Sequence, residues 1–357
     1  MAVKKQTVRD LKGLLDSQVM SAEHSEQISQ VIKKFSVAIT PHVMDTIGDA
    51  YHGAVAAQFV PSVLELTETP AESSDPIGDQ NHSPLPGIIH RYEDRVLLNV
   101  VQTCAVYCRY CFRRENVGSG NAGLTPSQLN AALDYIRADE NLWEVILSGG
   151  DPLTLSPRRL SHILCQLRDI GHVGIVRFHT RVPSVAPDKI DEALLAALKQ
   201  YPAVYLILHI NHPDELTPQV CEKLAMLADA GIPLLSQSVL LRNINDDVST
   251  LTRLFRKLLV NRVKPYYLHH GDLAKGTGHF RTSIEHGQKL MKSLRGPVSG
   301  LCQPHYVLDL PGGAGKVPIG PQYLQTIGEN RHTVEDVSGC SHLYTDDCLP
   351  DEADPLS

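Results

Sequence analysis

Residues 101–115 read VQTCAVYCRYCFRRE, with Cys104, Cys108 and Cys111 at CxxxCxxC spacing and two arginines close behind. Thiolates are soft ligands that suit iron–sulfur clusters and zinc, and both kinds of site ordinarily take four protein ligands. Here the three cysteines have no fourth cysteine and no evident ligand histidine nearby in sequence. A cubane cluster held by three cysteines leaves one iron without a protein ligand, able to bind a small molecule. A zinc knuckle completed by a remote residue, or three buried thiols, are the alternatives that spacing leaves open.

The loop follows a β-rich run, RVLLNVV (95–101), and the pattern then repeats. Further runs are EVILSGG (144–150), GIVRFHT (174–180), AVYLILHI (203–210), PLLSQSVLL (233–241) and VKPYYLHH (263–270). Segments of helical period lie between and after them, at about 126–139, 157–170, 188–200, 215–230, 248–261 and 283–295. Thr125-Pro126 and Ser156-Pro157 set a capping residue before a proline at the first helical position, and Gly231 stands where a helix-terminating glycine belongs. Six strands alternating with helices predict a parallel sheet with right-handed crossovers.

Polar residues collect at the C-terminal ends of these strands: Cys104, Gly149-Gly150-Asp151, His179-Thr180-Arg181, His209-Asn211-His212, Gln237-Ser238 and Asp272. Contributions from all six strands imply one enclosed mouth, which favours a partial barrel over an open doubly wound sheet. The expected class is α/β, a partial (β/α)6 TIM-type barrel over 88–316. Before it, residues 1–87 hold helical patterning and a turn-rich connection, TPAESSDPIGDQNHSPLPG (69–87). After it, 317–357 reads as a short polar extension with an acidic end.

The chain has 357 residues, 42% apolar and 20% charged, with net charge −7, which is ordinary for a soluble globular protein. No basic bias points to nucleic acid or an anionic membrane. No apolar run reaches transmembrane length, and the start MAVKKQTVRDLKGLLDS turns polar too early for a signal peptide. Eight cysteines without a sign of export read as a reducing cytoplasm, with the close triplet a metal site rather than disulfides.

A second pattern is YVLDLPGGAGKVP (306–318), a lysine after a glycine-rich turn. The phosphate-loop form GxxxxGK[ST] fails, because Val317 follows Lys316. A lysine forming a Schiff base with pyridoxal phosphate, or a solvated loop lysine, remains.

CxxxCxxC with an aromatic, Tyr110, before the last cysteine resembles the signature of the radical S-adenosylmethionine superfamily. SGGDPL (148–153) resembles that superfamily's GGE-type element. From GIIHRYEDRVLL (87–98) to GKVP (315–318) the chain resembles the lysine 2,3-aminomutase family. CRYCFRR, SGGDPL, HINHPDEL, SQSVLLRNIND, PYYLHHGDLAKGTGHFRT and LDLPGGAGK carry that resemblance in one order.

The resemblance implies a [4Fe-4S] cluster on Cys104, Cys108 and Cys111, S-adenosyl-L-methionine chelating its open iron, and pyridoxal 5′-phosphate on Lys316. It assigns Arg91 and Arg95 to the cofactor phosphate, with Gln237 beside the cofactor. Gly149, Gly150, Asp151, His209, Gln237 and Ser238 fall to S-adenosylmethionine. Arg113 takes the substrate carboxylate, and Asp272 and Asp309 its distal ammonium; two carboxylates sharing one cation avoid mutual repulsion. The implied reaction moves the α-amino group of L-lysine to the β-carbon after a 5′-deoxyadenosyl radical removes a β-hydrogen. Its implied partners are the small-molecule substrate, an electron donor such as flavodoxin or ferredoxin, and a second copy of the chain in a homo-oligomer.

The elongation-factor-P-type branch and an arginine-specific aminomutase are the nearest alternatives. The PGGAGK form favours a metabolic enzyme over the first, and the two aspartates disfavour a glutamate-specific one. Clostridial-type members carry an intersubunit zinc whose first cysteine position reads Asp247 here, and the tail offers only Cys340 and Cys348 without CxxC spacing. No structural zinc is therefore expected.

Overall fold

A computed structural model describes residues 6–49, 51, 53–118 and 123–346. The acidic end with Cys348 lies outside the described residues. Four short helices come first: α1 (Leu11–Asp16), α2 (Ser25–Lys34), α3 (Pro41–Ile47) and α4 (Ala54–Ala57). They enclose their own apolar cluster around Leu14, Ile39 and Phe59.

The six expected strands are present, each within two residues of its expected ends. They are β2 (Arg95–Val101), β3 (Glu144–Gly149), β4 (Ile175–Thr180), β5 (Val204–His209), β6 (Leu234–Val239) and β7 (Val263–His269), after an edge strand β1 (Ile88–Tyr92). A seventh parallel strand, β8 (His305–Leu310), joins β7, and β9 (Gly315–Pro318) returns antiparallel to it. The nine strands form one sheet in sequence order, parallel from β2 to β8 and antiparallel at both edges. This is a partial barrel extended by one strand. A run of turn residues had hidden β8 and β9 from a periodicity reading.

The crossover helices are α5 (Pro126–Ala138), α6 (Pro157–Arg168), α7 (Val182–Val185) with α8 (Glu192–Leu198), α9 (Pro218–Asp229), α10 (Val248–Val260) and α11 (Ile284–Leu294). Thr125 caps α5 with its side chain on the Gln128 N–H, and Ser156 caps α6 on Arg159. Gly231 ends α9 by donating its N–H to Ala228 O at 3.1 Å. The helix expected over 188–200 begins later, because Pro187 sits in a 3-10 turn and Asp191 supplies the cap.

Alternation along the strands sorts two faces. Val145, Leu147, Val176, Phe178, Leu206 and Leu208 are buried against the helices. Their neighbours Ser148, Arg177, His179, His209, Gln237 and His269 face a central cavity. Purely apolar strands would fill such a barrel; these polar inward positions leave a chamber.

The extension beyond β9 is a separate antiparallel sheet, β10 (Leu324–Gly328), β11 (Arg331–Glu335) and β12 (Ser341–Thr345). No helix among the described residues is long and apolar enough to cross a membrane.

Candidate active site

The cavity has a volume of about 720 Å³ and opens at the C-terminal ends of the strands, within the usual range for ligand pockets. Cys104, Cys108 and Cys111 all line it, on the loop after β2. Without a cation the thiols of Cys104 and Cys111 resist ionisation. Burial pushes Cys111 up to about 11, and burial, Asp151 and the other two cysteines push Cys104 well above the thiol range. Such mutually repelling thiols suit a cationic iron–sulfur centre that takes them as thiolates. Arg181 donates to Cys108 Sγ at 2.8 Å, to Gln58 Oε1 at 2.6 Å and to Glu215 Oε2 at 2.7 Å.

Tyr110 extends this network. Its hydroxyl accepts from Arg181 and from Asn211 Nδ2 (2.6 Å) and lies 2.9 Å from His209 Nε2. Burial and then Arg181 hold His209 well below its ordinary range, so it is neutral at pH 7. Arg109 and Arg114, flanking Cys111, both reach the fully buried Glu65; Arg109 Nε sits 3.0 Å from Glu65 Oε1. The cysteine loop is thus pinned to the N-terminal region by charge pairs out of water.

Gly149 and Gly150 serve the packing of that loop. Gly149 has φ +114°, and a Cβ there would meet Val101 O at 2.2 Å; one on Gly150 would meet Thr103 O at 2.4 Å. Asp151 lines the cavity, yet its carboxylate accepts from Thr180 Oγ1 (2.7 Å) and from the N–H groups of Leu153, Arg181 and Val182. Ser238 is buried and donates to Ile210 O at 2.5 Å; it is not among the residues facing the cavity, whereas His209 and Gln237 are.

The opposite wall is built by the β8–β9 hairpin, whose register pairs Asp309 directly with Lys316 across the PGGAG turn. Lys316 Nζ donates to Asp309 Oδ2 at 2.5 Å and lies 3.2 Å from His269 Nδ1. Burial lowers the Lys316 pKa, which favours a nucleophilic amine. Burial alone would raise Asp309, but His269 and Lys316 override it and hold Asp309 well below the carboxylate range. His269 is itself kept below its ordinary range by burial and Lys316.

Asp272 is the counterpart. Burial first, then the Asp309 charge, push it up to about 7, and its Oδ1 is buried without a hydrogen-bond partner among the described residues. The two carboxylates therefore differ, Asp309 paired with Lys316 and Asp272 not.

Arg91, Arg95 and Arg113 complete the wall. Arg91 donates to Ile77 O (2.8 Å) and Asp79 Oδ1 (3.1 Å), leaving a buried Nε unpartnered among the described residues. Arg95 pairs with Asp94 at 2.6 Å and stacks 3.8 Å over Tyr92. Arg113 Nε donates to Asp79 Oδ2 at 2.9 Å. These arginines and the deprotonation-prone Lys316 fit a phosphorylated aldehyde cofactor: cations for the phosphate, an amine for the carbonyl.

Sequence reasoning placed His179 at the mouth but missed Asp79, Arg177 and His269 as cavity residues. The signal existed for Arg177, which alternates with apolar neighbours in β4 as His179 does. Asp79 carried none, since it lies in a segment that reads as a connection. Asp247 is taken up as the N-cap of α10, accepting from the Thr250 N–H at 2.9 Å.

A family model described as the radical SAM superfamily matches residues 98–254, and one described as lysine-2,3-aminomutase matches 291–355. L-lysine 2,3-aminomutase of Clostridium subterminale is 39% identical over 342 residues, 96% of this chain and 82% of that protein. L-lysine 2,3-aminomutase of Escherichia coli strain K12 is 39% identical over 269 residues, 75% of this chain and 78% of that protein. Glutamate 2,3-aminomutase of Clostridioides difficile is 38% identical over 322 residues, 90% of this chain and 76% of that protein.

Proposed function

The chain belongs to the lysine 2,3-aminomutase family of radical S-adenosylmethionine enzymes, and from that premise we propose that it is an isomerase moving the α-amino group of L-lysine to the β-carbon. The observation that carries the choice of lysine is the pair Asp272 and Asp309 beside Lys316. An anionic distal group, as in glutamate, would meet two carboxylates in a buried site; an ammonium relieves their repulsion. With that cation bound, Asp272 becomes a carboxylate at neutral pH.

Cys104, Cys108 and Cys111 hold the iron–sulfur cluster, and Lys316 with Arg91 and Arg95 holds pyridoxal phosphate. When bound, the cluster with S-adenosylmethionine would supply a carbon-centred radical, and pyridoxal phosphate a π-system over which an unpaired electron is delocalised. Lys316 offers an amine to the cofactor carbonyl because burial favours loss of its proton, and the Asp309 carboxylate holds Nζ in place by its hydrogen bond. Arg113 orients the substrate carboxylate while Asp272 and Asp309 hold the far end, which fixes the β-carbon along the line between them. His209 stays neutral beside Arg181 and adds no further positive charge to the S-adenosylmethionine pocket.

The test is anaerobic protein reconstituted with iron, sulfide and pyridoxal phosphate, then given S-adenosylmethionine, reductant and an amino-acid panel. β-Lysine from lysine, with little product from arginine or glutamate, supports the reading. Turnover of arginine or glutamate in preference to lysine overturns it.

A further inference from the structure

The turn-rich segment before β1 lines the cavity through Ile77 and Asp79 and is stitched at both sides. At one side Ser73 N–H donates to Leu273 O at 2.8 Å, and Glu72 pairs with Arg281. At the other, Gly78, with φ +68°, lies so close to the lysine-bearing hairpin that a Cβ would sit 2.5 Å from Gly312 C. Gly313 answers it, since a Cβ there would meet His82 Nε2 at 2.4 Å. Between these anchors the Asp75 carboxylate accepts from the N–H groups of Asp79 (2.8 Å) and Gln80 (3.0 Å), which fixes the turn that carries Asp79.

Asp79 then does two things at once. Its Oδ1 accepts from Arg91 Nη2 at 3.1 Å, and its Oδ2 accepts from Arg113 Nε at 2.9 Å, with Nη2 at 2.8 Å. Nε and Nη2 are the side-on edge of the guanidinium. The end-on edge, Nη1 with Nη2, carries only the Ser148 hydroxyl at 3.3 Å among the described residues. A free arginine offers a carboxylate either edge. One whose side edge is occupied offers only the other, in one orientation.

We infer that Asp79 is a positioning residue for substrate selection: it holds Arg113 by its side-on edge so that the end-on edge meets the substrate α-carboxylate, and it ties that clamp to Arg91 and to the hairpin of Lys316. The inference rests on Arg113 being the carboxylate clamp of the proposed reaction. Asp79 touches no reacting atom; it sets how strongly the site rewards a carboxylate.

The probe is a pair of ligands, lysine and 1,5-diaminopentane, which is lysine without its carboxylate. Pyridoxal-phosphate-loaded protein without S-adenosylmethionine is titrated with each, and the cofactor absorbance reports binding. Wild type binds lysine the more tightly. In Asp79→Ala that preference falls about tenfold, the size of one charge-assisted contact, and in Asp79→Asn, which keeps the shape and one acceptor oxygen, it falls less. Thermal unfolding checks each variant, and Asp79→Asn carries the test if the alanine variant does not fold. Equal weakening of both ligands in the variants marks a merely structural role and overturns the inference. So does a wild-type preference that survives unchanged. Wild-type protein that binds both ligands equally defeats the clamp role of Arg113, and the functional reading with it.

Discussion

The two walls of the chamber are held in opposite ways. Around the cysteine loop the buried arginines among the described residues each meet a carboxylate, Arg181 with Glu215 and Arg109 and Arg114 with Glu65, although Nε of Arg114 and of Arg181 makes no hydrogen bond. Around Lys316 the charges do not balance, with Asp272 pushed up to about 7 and one of its oxygens unpartnered among the described residues. A network of opposite charges in contact fixes geometry before any ligand arrives. An incomplete one stores a demand for charge that only a ligand meets. The first wall suits a resident cluster that must not move, and the second suits a substrate that comes and goes.

The contrast breaks most sharply at Lys316. Lys316→Ala should lower turnover at least about 1000-fold and remove the cofactor absorbance band, while iron and sulfide content stay at the wild-type level. Loss of iron in that variant would mean that the walls are not independent. Next in size is the balanced wall. Glu65→Gln leaves two buried arginines short of their counter-charge and should cost about 3 kcal/mol or more of stability, read by denaturant unfolding of the full chain. A cost below about 1 kcal/mol, the range of surface pairs, would show that water reaches the triad.

Asp272→Asn should act on the other side of the balance. Lysine affinity falls about 10- to 100-fold, yet the substrate-free protein is not destabilised at pH 8. The sign follows from the raised pKa. The folded state holds the Asp272 proton more tightly than the unfolded state, so stability falls as pH rises from the ordinary carboxylate range to about 7. The asparagine variant loses that slope. The smallest effect is on wild-type binding: lysine affinity should weaken about tenfold between pH 8 and pH 6, because the ammonium must displace a proton from Asp272. Calorimetry in buffers of different ionisation enthalpy would detect proton release near one per lysine at pH 6 and near zero at pH 8. Equal release at both values would place the titration elsewhere.

Much of this is written in the order of residues. Strand and helix periods, Thr125-Pro126, Ser156-Pro157 and Gly231 locate the alternating elements, because they depend on local backbone and burial alone. The spacing of Cys104, Cys108 and Cys111 marks the cluster loop for the same reason: ligands to one centre on one loop must be close in sequence. The hairpin that pairs Asp309 with Lys316 is less legible, since its proline and glycines read as punctuation until β8 is seen to join β7.

Asp79 and the Glu65 triad could come only from the tertiary structure. Glu65 lies 44 residues from Arg109, and Asp79 lies 34 from Arg113; no local rule of period or spacing reaches that far. Sequence by itself determined which chemistry the chain can support, because ligating atoms and helix caps are properties of residues and their near neighbours. The fold decided which charges are matched and which are left waiting, because desolvation and pairing depend on what long-range packing brings into contact.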